Sequence, residues 1–266
     1  MKNKVVVITG ASSGIGEGCV KEFANKGSFI VLAARNIDKL NQISEKLNLE
    51  NHLCVKCDVT KENDCKKLIE STFKKYGKID ILINNAGISM RANFEDVKVD
   101  VIKKVMDVNF FGMVYCTKYA LKHLIKSKGT VVGISSISGY VGLPGRTGYA
   151  ASKFAMNGFL DCLRVENMKN GLRVLTVAPG FVASNIRNSA LNSDGVEQKE
   201  SPRDESKMMT PNILAKKIIK SIIKQHNYLT LSFEGKMSII LKKISPNFLN
   251  KILYSYFKKE SKSTLK

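Results

Sequence analysis

Short apolar runs alternate with amphipathic stretches from the start of the chain to about residue 230. This alternation is typical of βαβ units, in which strands buried on both faces are joined by crossover helices. The predicted strands are 4–9, 29–34, 52–57, 79–84, 130–135, 173–178 and 228–232. The sequence therefore predicts an α/β fold with a mostly parallel, doubly wound, seven-stranded sheet and helices on both of its faces.

Two of the predicted helices are marked by the residues that end them. The stretches 15–25 and 62–76 are amphipathic, and they are followed by Gly27 and Gly77. Glycine at such a position favours a left-handed helix terminus, so both helices are expected to end there.

The rest of the chain is interpreted as parts of one domain. Longer helices are predicted over 99–127 and 149–168. The chain shows no internal repeat and no linker, so we expect a single domain over 1–266. Within it, the polar stretch 183–211 is interpreted as a substrate lid loop and 233–266 as a basic amphipathic extension.

Signals for export or membrane insertion are missing from the sequence. No charged leader with an apolar core and a cleavage site precedes the first strand, and no eighteen apolar residues follow one another. Six cysteines, expected to be reduced thiols, are present at Cys19, Cys54, Cys57, Cys65, Cys116 and Cys162. We therefore expect a cytoplasmic protein that is at most peripheral to a membrane.

Cys54 and Cys57 form a CxxC spacing that also occurs in zinc and redox sites. They lie on a predicted strand, where residues three apart point to opposite faces, and no second pair completes four ligands. We interpret them as core cysteines and expect no metal site.

The net charge of +20 raises the question of nucleic acid as a partner. Only seven of the 43 basic residues are arginine, the residue that recognises bases and phosphates with two hydrogen bonds. We therefore expect no nucleic-acid partner.

A glycine-rich turn, Thr9-Gly10-Ala11-Ser12-Ser13-Gly14-Ile15-Gly16, joins the first strand to the first helix. Gly10 allows the tight turn, Gly14 lets the backbone approach a pyrophosphate, and Gly16 lets helix and strand pack closely. The free N–H groups at the helix N-terminus favour phosphate binding. The turn therefore predicts a dinucleotide site.

Further motifs follow in an order and spacing that resemble the short-chain dehydrogenase/reductase family over nearly the whole chain. The glycine spacing resembles the TGxxxGxG of that family, Asn84-Asn85-Ala86-Gly87 resembles its NNAG, and Tyr149 with Lys153 forms its YxxxK. The basic C-terminal tail resembles that of family members that handle steroids and lipids. The resemblance implies a Rossmann fold and reversible hydride transfer between a carbonyl and a secondary alcohol.

The resemblance also implies the roles of individual residues. The catalytic set is Asn109, Ser136, Tyr149 and Lys153. Tyr149 exchanges the proton, Lys153 binds the nicotinamide ribose, and Asn109 holds a water that links Lys153 to solvent. The implied cofactor contacts are Gly10, Ser12, Ser13, Gly14, Ile15, Gly16, Arg35, Asp58, Val59, Asn85, Ala86, Gly87, Tyr149, Lys153, Pro179, Gly180 and Val182.

The chemistry of the set also follows from its residue types. Tyr149 and Lys153 are four residues apart, so they share one face of a helix, and an ammonium beside a phenol favours the phenolate. A free tyrosine titrates near ~10, so such a charge is needed for proton exchange at neutral pH. Ser136 can hydrogen-bond the substrate oxygen and hold the reacting carbon in place.

Arg35 indicates the choice of cofactor. The predicted second strand ends at Ala34-Arg35 without a carboxylate that would accept the 2′-hydroxyl of NAD. The guanidinium suits a 2′-phosphate, so NADP(H) is expected. Ser13 stands where many NADP-using relatives carry a basic residue.

Apolar residues around the expected pocket indicate an apolar substrate, such as a lipid ketone or a sterol. They are Met90, Phe94, Ile137, Tyr140, Val141, Leu143 and Phe181. In the C-terminal extension, apolar residues at helical spacing lie among lysines: Phe248, Leu249, Ile252, Leu253, Tyr256 and Phe257. This stripe is expected either to contact an anionic membrane or to pack on the sheet, the pocket or a second subunit.

The predicted function is thus an NADP(H)-dependent carbonyl/alcohol oxidoreductase. The two long helices, 99–127 and 149–168, carry more apolar residues than one buried face needs, and a homodimer or homotetramer is expected. The alternative is a catalytically idle Rossmann protein that senses NADP(H).

Overall fold

The computed structural model of the chain describes residues 1–201, 208–259 and 264–265. All the strands of its seven-stranded sheet are parallel, in the order β3-β2-β1-β4-β5-β6-β7. They are β1 (Val5–Thr9), β2 (Phe29–Ala34), β3 (His52–Lys56), β4 (Ile81–Asn84), β5 (Thr130–Ile134), β6 (Arg173–Ala178) and β7 (Tyr228–Thr230). The predicted strands are confirmed to within two residues at each end.

Helices cover both faces of the sheet, as a doubly wound fold requires. They are α1 (Gly14–Ala24), α2 (Ile37–Lys46), α3 (Glu62–Tyr76), α4 (Val99–Met106), α5 (Gly112–Lys126), α6 (Thr147–Glu166), α7 (Pro211–Ile223), α8 (Phe233–Ile244) and α9 (Pro246–Lys258). One core cluster joins α1, α2 and α7 to the sheet, and a second joins α3, α5 and α6 to the opposite face.

The strands are apolar throughout because both faces are covered. In β1, Val6 and Ile8 pack in the first cluster, whereas Val5 and Val7 pack in the second. Cys54 in the middle of β3 packs against the first cluster, and Cys57 just beyond the strand lies in the second. The two cysteines thus face opposite sides, as predicted.

The predicted helix 99–127 is helical as far as residue 126, but it is not α-helical throughout. A π-helical turn at Asp107–Phe111 separates α4 from α5, and the amide of Gly112 donates to the carbonyl of Asp107. Such turns lengthen the spacing of hydrogen bonds and are frequent at functional sites. Asn109 lies within this turn and is 1% exposed.

The two segments predicted outside the regular fold have some order where the structure describes them. The described parts of 183–211 form isolated bridges, including Val182 with Met209 and Met90 with Leu191. Residues 202–207 of this loop, and 260–263 and 266 of the extension, lie outside the described residues. The described part of the extension begins with α8 and α9. None of the described helices is both long enough and apolar enough to pass through a bilayer.

The order of the strands places a crevice at one edge of the sheet. β1 pairs with β2 on one side and with β4 on the other, so the chain changes direction across the sheet at this point. In open parallel sheets, ligands bind outside the carboxyl ends of the strands at this reversal. The glycine-rich turn and the Asn84–Gly87 segment both begin there.

Candidate active site

The glycine-rich turn leaves room for a phosphate at the N-terminus of α1. Gly14 has a φ of +53°, which an ordinary side chain rarely adopts, and a Cβ on Gly16 would overlap the carbonyl oxygen of Gly10. Ser13 precedes the helix with extended backbone and makes no capping bond with its side chain. The first amides of α1 are therefore left for an anionic ligand.

The segment after β4 is tied to this turn. Thr9 Oγ1 accepts from the amides of Asn85 (3.0 Å) and Ala86 (3.1 Å). The Asn85 amide group donates to the carbonyls of Thr9 (2.9 Å) and Gly10 (3.1 Å). These bonds hold the NNAG segment and the glycine-rich turn as one rigid edge of the crevice.

Arg35 lies at the end of β2, beside the glycine-rich turn. The amide of Ala11 donates to the carbonyl of Ala33 over 3.1 Å, which ties the glycine-rich turn to the end of β2. Arg35 directly follows β2 with an exposed side chain, and Asn36 caps α2 by accepting from the amide of Lys39 (3.0 Å). The guanidinium is therefore a charged group exposed at this strand end.

Asp58 follows β3 in a turn that orients its carboxylate. Asp58 Oδ1 accepts from the amide of Thr60 (3.1 Å) and from its hydroxyl (2.8 Å). The neighbouring Val59 is buried, and a Cβ on Gly112 would meet its side chain at 2.8 Å. α5 therefore packs directly under this turn.

Ser136 is held in place by α6. Its hydroxyl accepts from the amide of Ser138 over 3.1 Å. On either side of this turn, Asn157 accepts from the Ser135 hydroxyl (2.7 Å) and donates to the carbonyl of Gly139 (2.8 Å). The helix that carries Tyr149 thus also fixes the position of Ser136.

Tyr149 and Lys153 lie one turn apart near the start of α6, as predicted. Tyr149 hydrogen-bonds the Ser136 side chain, and Lys153 Nζ lies 5.7 Å from the centre of the Tyr149 ring. Lys153 Nζ donates to the carbonyl of Ile134 (2.9 Å), and a Cβ on Gly87 would lie 3.7 Å from it. The helix thus brings both side chains to the crevice edge.

Asn109 connects this helix to the loop after β4. Its side chain accepts from the amide of Ile88 (2.8 Å) and donates to the carbonyl of the same residue (3.0 Å). It also donates to the Ser152 hydroxyl (2.9 Å), which in turn donates to the carbonyl of Tyr149 (2.7 Å). In this arrangement Asn109 binds protein groups and positions the YxxxK turn.

The pKa of Tyr149 is raised by burial. The hydrogen bond with Ser136 and the positive charges of Arg146 and Arg187 lower it in part. Lys153, which the sequence suggested as the compensating charge, is not among the groups that lower it. Its ammonium donates to the carbonyl of Ile134 and lies 3.4 Å from the sulfur of Met156.

Lys153 is buried, with 3% of its surface exposed. Burial lowers its pKa to about 7 because an ammonium in an apolar setting loses its hydration. The pKa of Lys153 therefore lies much nearer to neutral pH than that of an exposed lysine.

The residues predicted to line an apolar pocket differ in how far the structure buries them. Met90 and Val141 are buried in the protein, whereas Phe94 and Phe181 are 68% and 51% exposed. Ile137, Tyr140 and Leu143 are half-buried beside Ser136 and the start of α6.

The last segment of the crevice begins at Pro179-Gly180 after β6, and a Cβ on Gly180 would meet Ser232 at 2.7 Å.

Four residues at this site were missed in the sequence. Ser152 and Asn157 share a side of α6 with Tyr149 and Lys153, so helical spacing could have indicated them. Arg146 and Arg187 affect Tyr149 electrostatically. Arg187 comes from the irregular segment after β6, where it donates to the carbonyl of Val182 (2.7 Å), and no sequence pattern signals this placement.

The arrangement fits a nicotinamide dinucleotide. The open amides of α1 suit its diphosphate, and Lys153 lies in the same crevice near Gly87. Within the described part of the chain, no group of three or more His, Cys, Asp or Glu side chains is arranged to hold a metal ion.

Comparison with known proteins agrees with this geometry. Residues 4–194 match the sequence profile of the family described as short chain dehydrogenase. The chain is 32% identical over 271 residues to dehydrogenase/reductase SDR family member 7B of Mus musculus, covering 99% of this chain and 84% of that protein. It is 36% identical over 263 residues to 11-beta-hydroxysteroid dehydrogenase-like 3 of Arabidopsis thaliana, covering 96% and 83%.

A solved structure shows the same fold. The short chain dehydrogenase/reductase SDR of Burkholderia phymatum, in complex with NAD, superimposes with a TM-score of 0.82 at 20% identity. The superposition covers 93% of this chain and 95% of that one.

Proposed function

Because the chain belongs to the short-chain dehydrogenase family, we propose that it is an NADP(H)-dependent oxidoreductase that interconverts a carbonyl and a secondary alcohol. The proposal is carried by one observation. Tyr149, hydrogen-bonded to Ser136, lies with Lys153 at the same crevice edge as the glycine-rich turn. A proton donor and a dinucleotide site thus share one crevice.

In the proposed reaction, the cofactor and the residues of the chain have separate roles. The bound cofactor supplies or accepts the hydride. In reduction, the Tyr149 hydroxyl gives its proton to the substrate oxygen as the carbonyl carbon becomes an alcohol carbon; in oxidation, the phenolate takes the proton back. Ser136 positions and polarises the substrate oxygen, and the charges of Arg146 and Arg187 ease formation of the phenolate.

We propose that Lys153 has two functions. Its ammonium lies near Gly87, where it can donate to the ribose hydroxyls of the cofactor. A lysine with a pKa of about 7 can also accept and release a proton at neutral pH, so it can restore the proton of Tyr149 between turnovers. Asn109 holds the YxxxK turn through Ser152, and we propose that it also supports a water path from Lys153 to solvent.

The proposed substrate has an apolar body. Ile137, Tyr140 and Leu143 lie half-buried beside Ser136, and the relative from Arabidopsis thaliana is named as a hydroxysteroid dehydrogenase-like protein. The charges of Arg146 and Arg187 also allow an acidic headgroup close to Tyr149.

A substrate panel tests the proposed function. We expect NADPH-dependent reduction of sterol ketones and of long-chain lipid ketones, with or without an acidic headgroup, measured by the absorbance of NADPH. Their kcat/KM should exceed that of small charged oxo acids by more than about tenfold, because the apolar wall contributes binding only to an apolar body. Better turnover of the small oxo acids would contradict the apolar substrate. Tight NADP(H) binding without turnover of any carbonyl would instead favour the idle sensor.

Cofactor preference is tested at Arg35. We expect Arg35→Asp to lower the ratio of kcat/KM for NADPH over NADH by at least about tenfold, because a carboxylate repels a 2′-phosphate and accepts a 2′-hydroxyl. Lys39→Asp on the exposed start of α2 serves as a control for the change of charge, and a smaller effect is expected there. An unchanged ratio in Arg35→Asp would show that NADP(H) preference is set elsewhere.

We further propose a homodimer or homotetramer formed through α5 and α6. Phe111 (41%), Phe154 (40%) and Val165 (68%) remain exposed at the start of α5 or along α6, although the inner faces of both helices are packed. We also propose a cytoplasmic location, supported by six free cysteines, most of them buried in the core.

A further inference from the structure

Exposed apolar side chains follow one side of each of the two C-terminal helices. On α8 they recur every three or four residues, and on α9 they are four residues apart, so each set shares a helix side. We name them the C-terminal apolar face: Phe233, Met237, Ile240, Ile244, Phe248 and Ile252. Phe233 and Ile244 are 74% and 76% exposed, and Ile244 and Phe248 flank the corner between the helices.

The other sides of these helices are the ones that hold them on the protein. A Cβ on Gly235 would overlap Ile137, and Leu249 and Phe257 are buried. Lys242 Nζ donates to the carbonyl of Tyr140 over 2.7 Å. Because these contacts fix α8 and α9 from the inside, the apolar face is not needed for their attachment. Six large apolar side chains exposed on two consecutive helices are more than the singly scattered apolar residues of an ordinary surface.

The charges around the face are almost entirely positive. From residue 233 to residue 259 the chain has one acid, Glu234, and six lysines, all of them exposed. They are Lys236, Lys242, Lys243, Lys251, Lys258 and Lys259. The partner must therefore combine an apolar region with negative charge.

A second copy of the chain does not meet this requirement. Two such faces would bring twelve lysines together against two glutamates, and like charges at an interface repel. A bilayer that contains anionic lipids offers acyl chains for the apolar side chains and phosphate and carboxylate groups for the lysines. We propose that the C-terminal apolar face docks this protein on the surface of an anionic bilayer.

Docking at this place would bring the active site close to the lipid. α8 packs against the turn that follows Ser136, and the Phe257 ring on α9 lies 5.7 Å from the guanidinium of Arg146, three residues before Tyr149. Docking there would let an apolar substrate enter the active site from the bilayer, a consequence that rests on the proposed function. The docking proposal does not depend on that function, and its test needs no turnover.

The test measures sedimentation of the full chain with vesicles at low ionic strength. We expect the protein to bind vesicles of phosphatidylcholine mixed with phosphatidylserine and to bind pure phosphatidylcholine weakly. The triple variant Phe233→Ser, Ile244→Ser, Phe248→Ser should lose at least about tenfold in partition coefficient because three inserted side chains are removed. Lys236→Ala, Lys243→Ala, Lys251→Ala should lose the preference for the anionic lipid.

The matched control removes three equally exposed apolar side chains elsewhere. Val99, Met168 and Ile223 are 61%, 72% and 62% exposed and lie outside α5 and α6, and their triple serine variant should bind vesicles like the parent protein. Circular dichroism checks that each variant is folded. The proposal is overturned if the parent stays in the supernatant with both vesicles or if the first variant binds as the parent does. It is also overturned if the parent does not bind vesicles and light scattering shows that the first variant has a lower oligomeric state than the parent. The apolar face would then be an interface between subunits.

Discussion

Tyr149→Phe is expected to lower kcat for carbonyl reduction by about 10²- to 10⁴-fold while leaving the cofactor bound. The variant keeps the ring, which packs beside a small apolar cluster around Met90, and removes only the hydroxyl that hydrogen-bonds Ser136. The proton for the substrate oxygen must then come from water in a half-buried site. Single-turnover rates with NADPH measure this loss, and quenching of cofactor fluorescence measures binding.

Tyr115→Phe provides the control for this prediction. Tyr115 lies on α5, packs against the second core cluster and is half-buried, yet it has no place in the proposed mechanism. Its variant should retain the parent rate. Undiminished turnover in Tyr149→Phe would exclude Tyr149 as the proton donor, whereas weakened cofactor binding would indicate that the hydroxyl mainly orders the crevice.

Lys153→Met is expected to inactivate the enzyme and to stabilise the cofactor-free protein. Burial lowers the pKa of Lys153 from 10.5 to about 7. Folding must therefore either bury an ammonium that is hydrated in the unfolded chain or remove its proton, and both cost free energy. This shift corresponds to a penalty of about 4 kcal/mol in the free energy of unfolding at neutral pH. After allowance of about 1 kcal/mol for the lost hydrogen bond to Ile134, Tm should rise by roughly 5 to 10 °C.

The pH dependence of this effect has a definite sign. A basic group whose folded pKa is lowered destabilises the fold fully below about pH 7, and the penalty declines as pH rises toward 10.5. The difference in Tm between Lys153→Met and the parent should therefore be largest below about pH 7 and shrink as the pH approaches about 10, measured by circular dichroism. Lys118→Met, at an exposed position of α5, should change stability by less than about 0.5 kcal/mol. A lower Tm in Lys153→Met, or a difference that grows with pH, would contradict the argument.

Much of the fold could be predicted because a strand that is buried on both faces must be apolar along its whole length, and this is visible in the local sequence. A strand such as β1 must be apolar at every position, and Val5 to Ile8 are apolar in sequence. The glycine-rich turn is marked in the same way, since only glycine tolerates the close approach of Gly16 to Gly10. The π-helical turn between α4 and α5 left no such mark because it differs from an α-helix by a single residue in its hydrogen bonding.

The C-terminal stripe shows where a pattern stops being informative. Apolar residues at helical spacing predicted an amphipathic helix, and α9 is one. The pattern could not separate Leu249 and Phe257, which are buried, from Phe248 and Ile252, which are exposed. Which side of a helix is covered depends on what packs against it, and here that is decided by residues far away in sequence, such as Arg146.

The sequence by itself determined the strands, the glycine-rich turn and the spacing of Tyr149 and Lys153, because each depends on residues close together in the chain. Only the tertiary structure decided the electrostatics of the site. Lys153 turns its ammonium toward the carbonyl of Ile134, and the charges that act on Tyr149 come from Arg146 and from Arg187. Burial and the direction of a charge are set by the whole fold, since they depend on which distant segments exclude water and which side chains they bring into range.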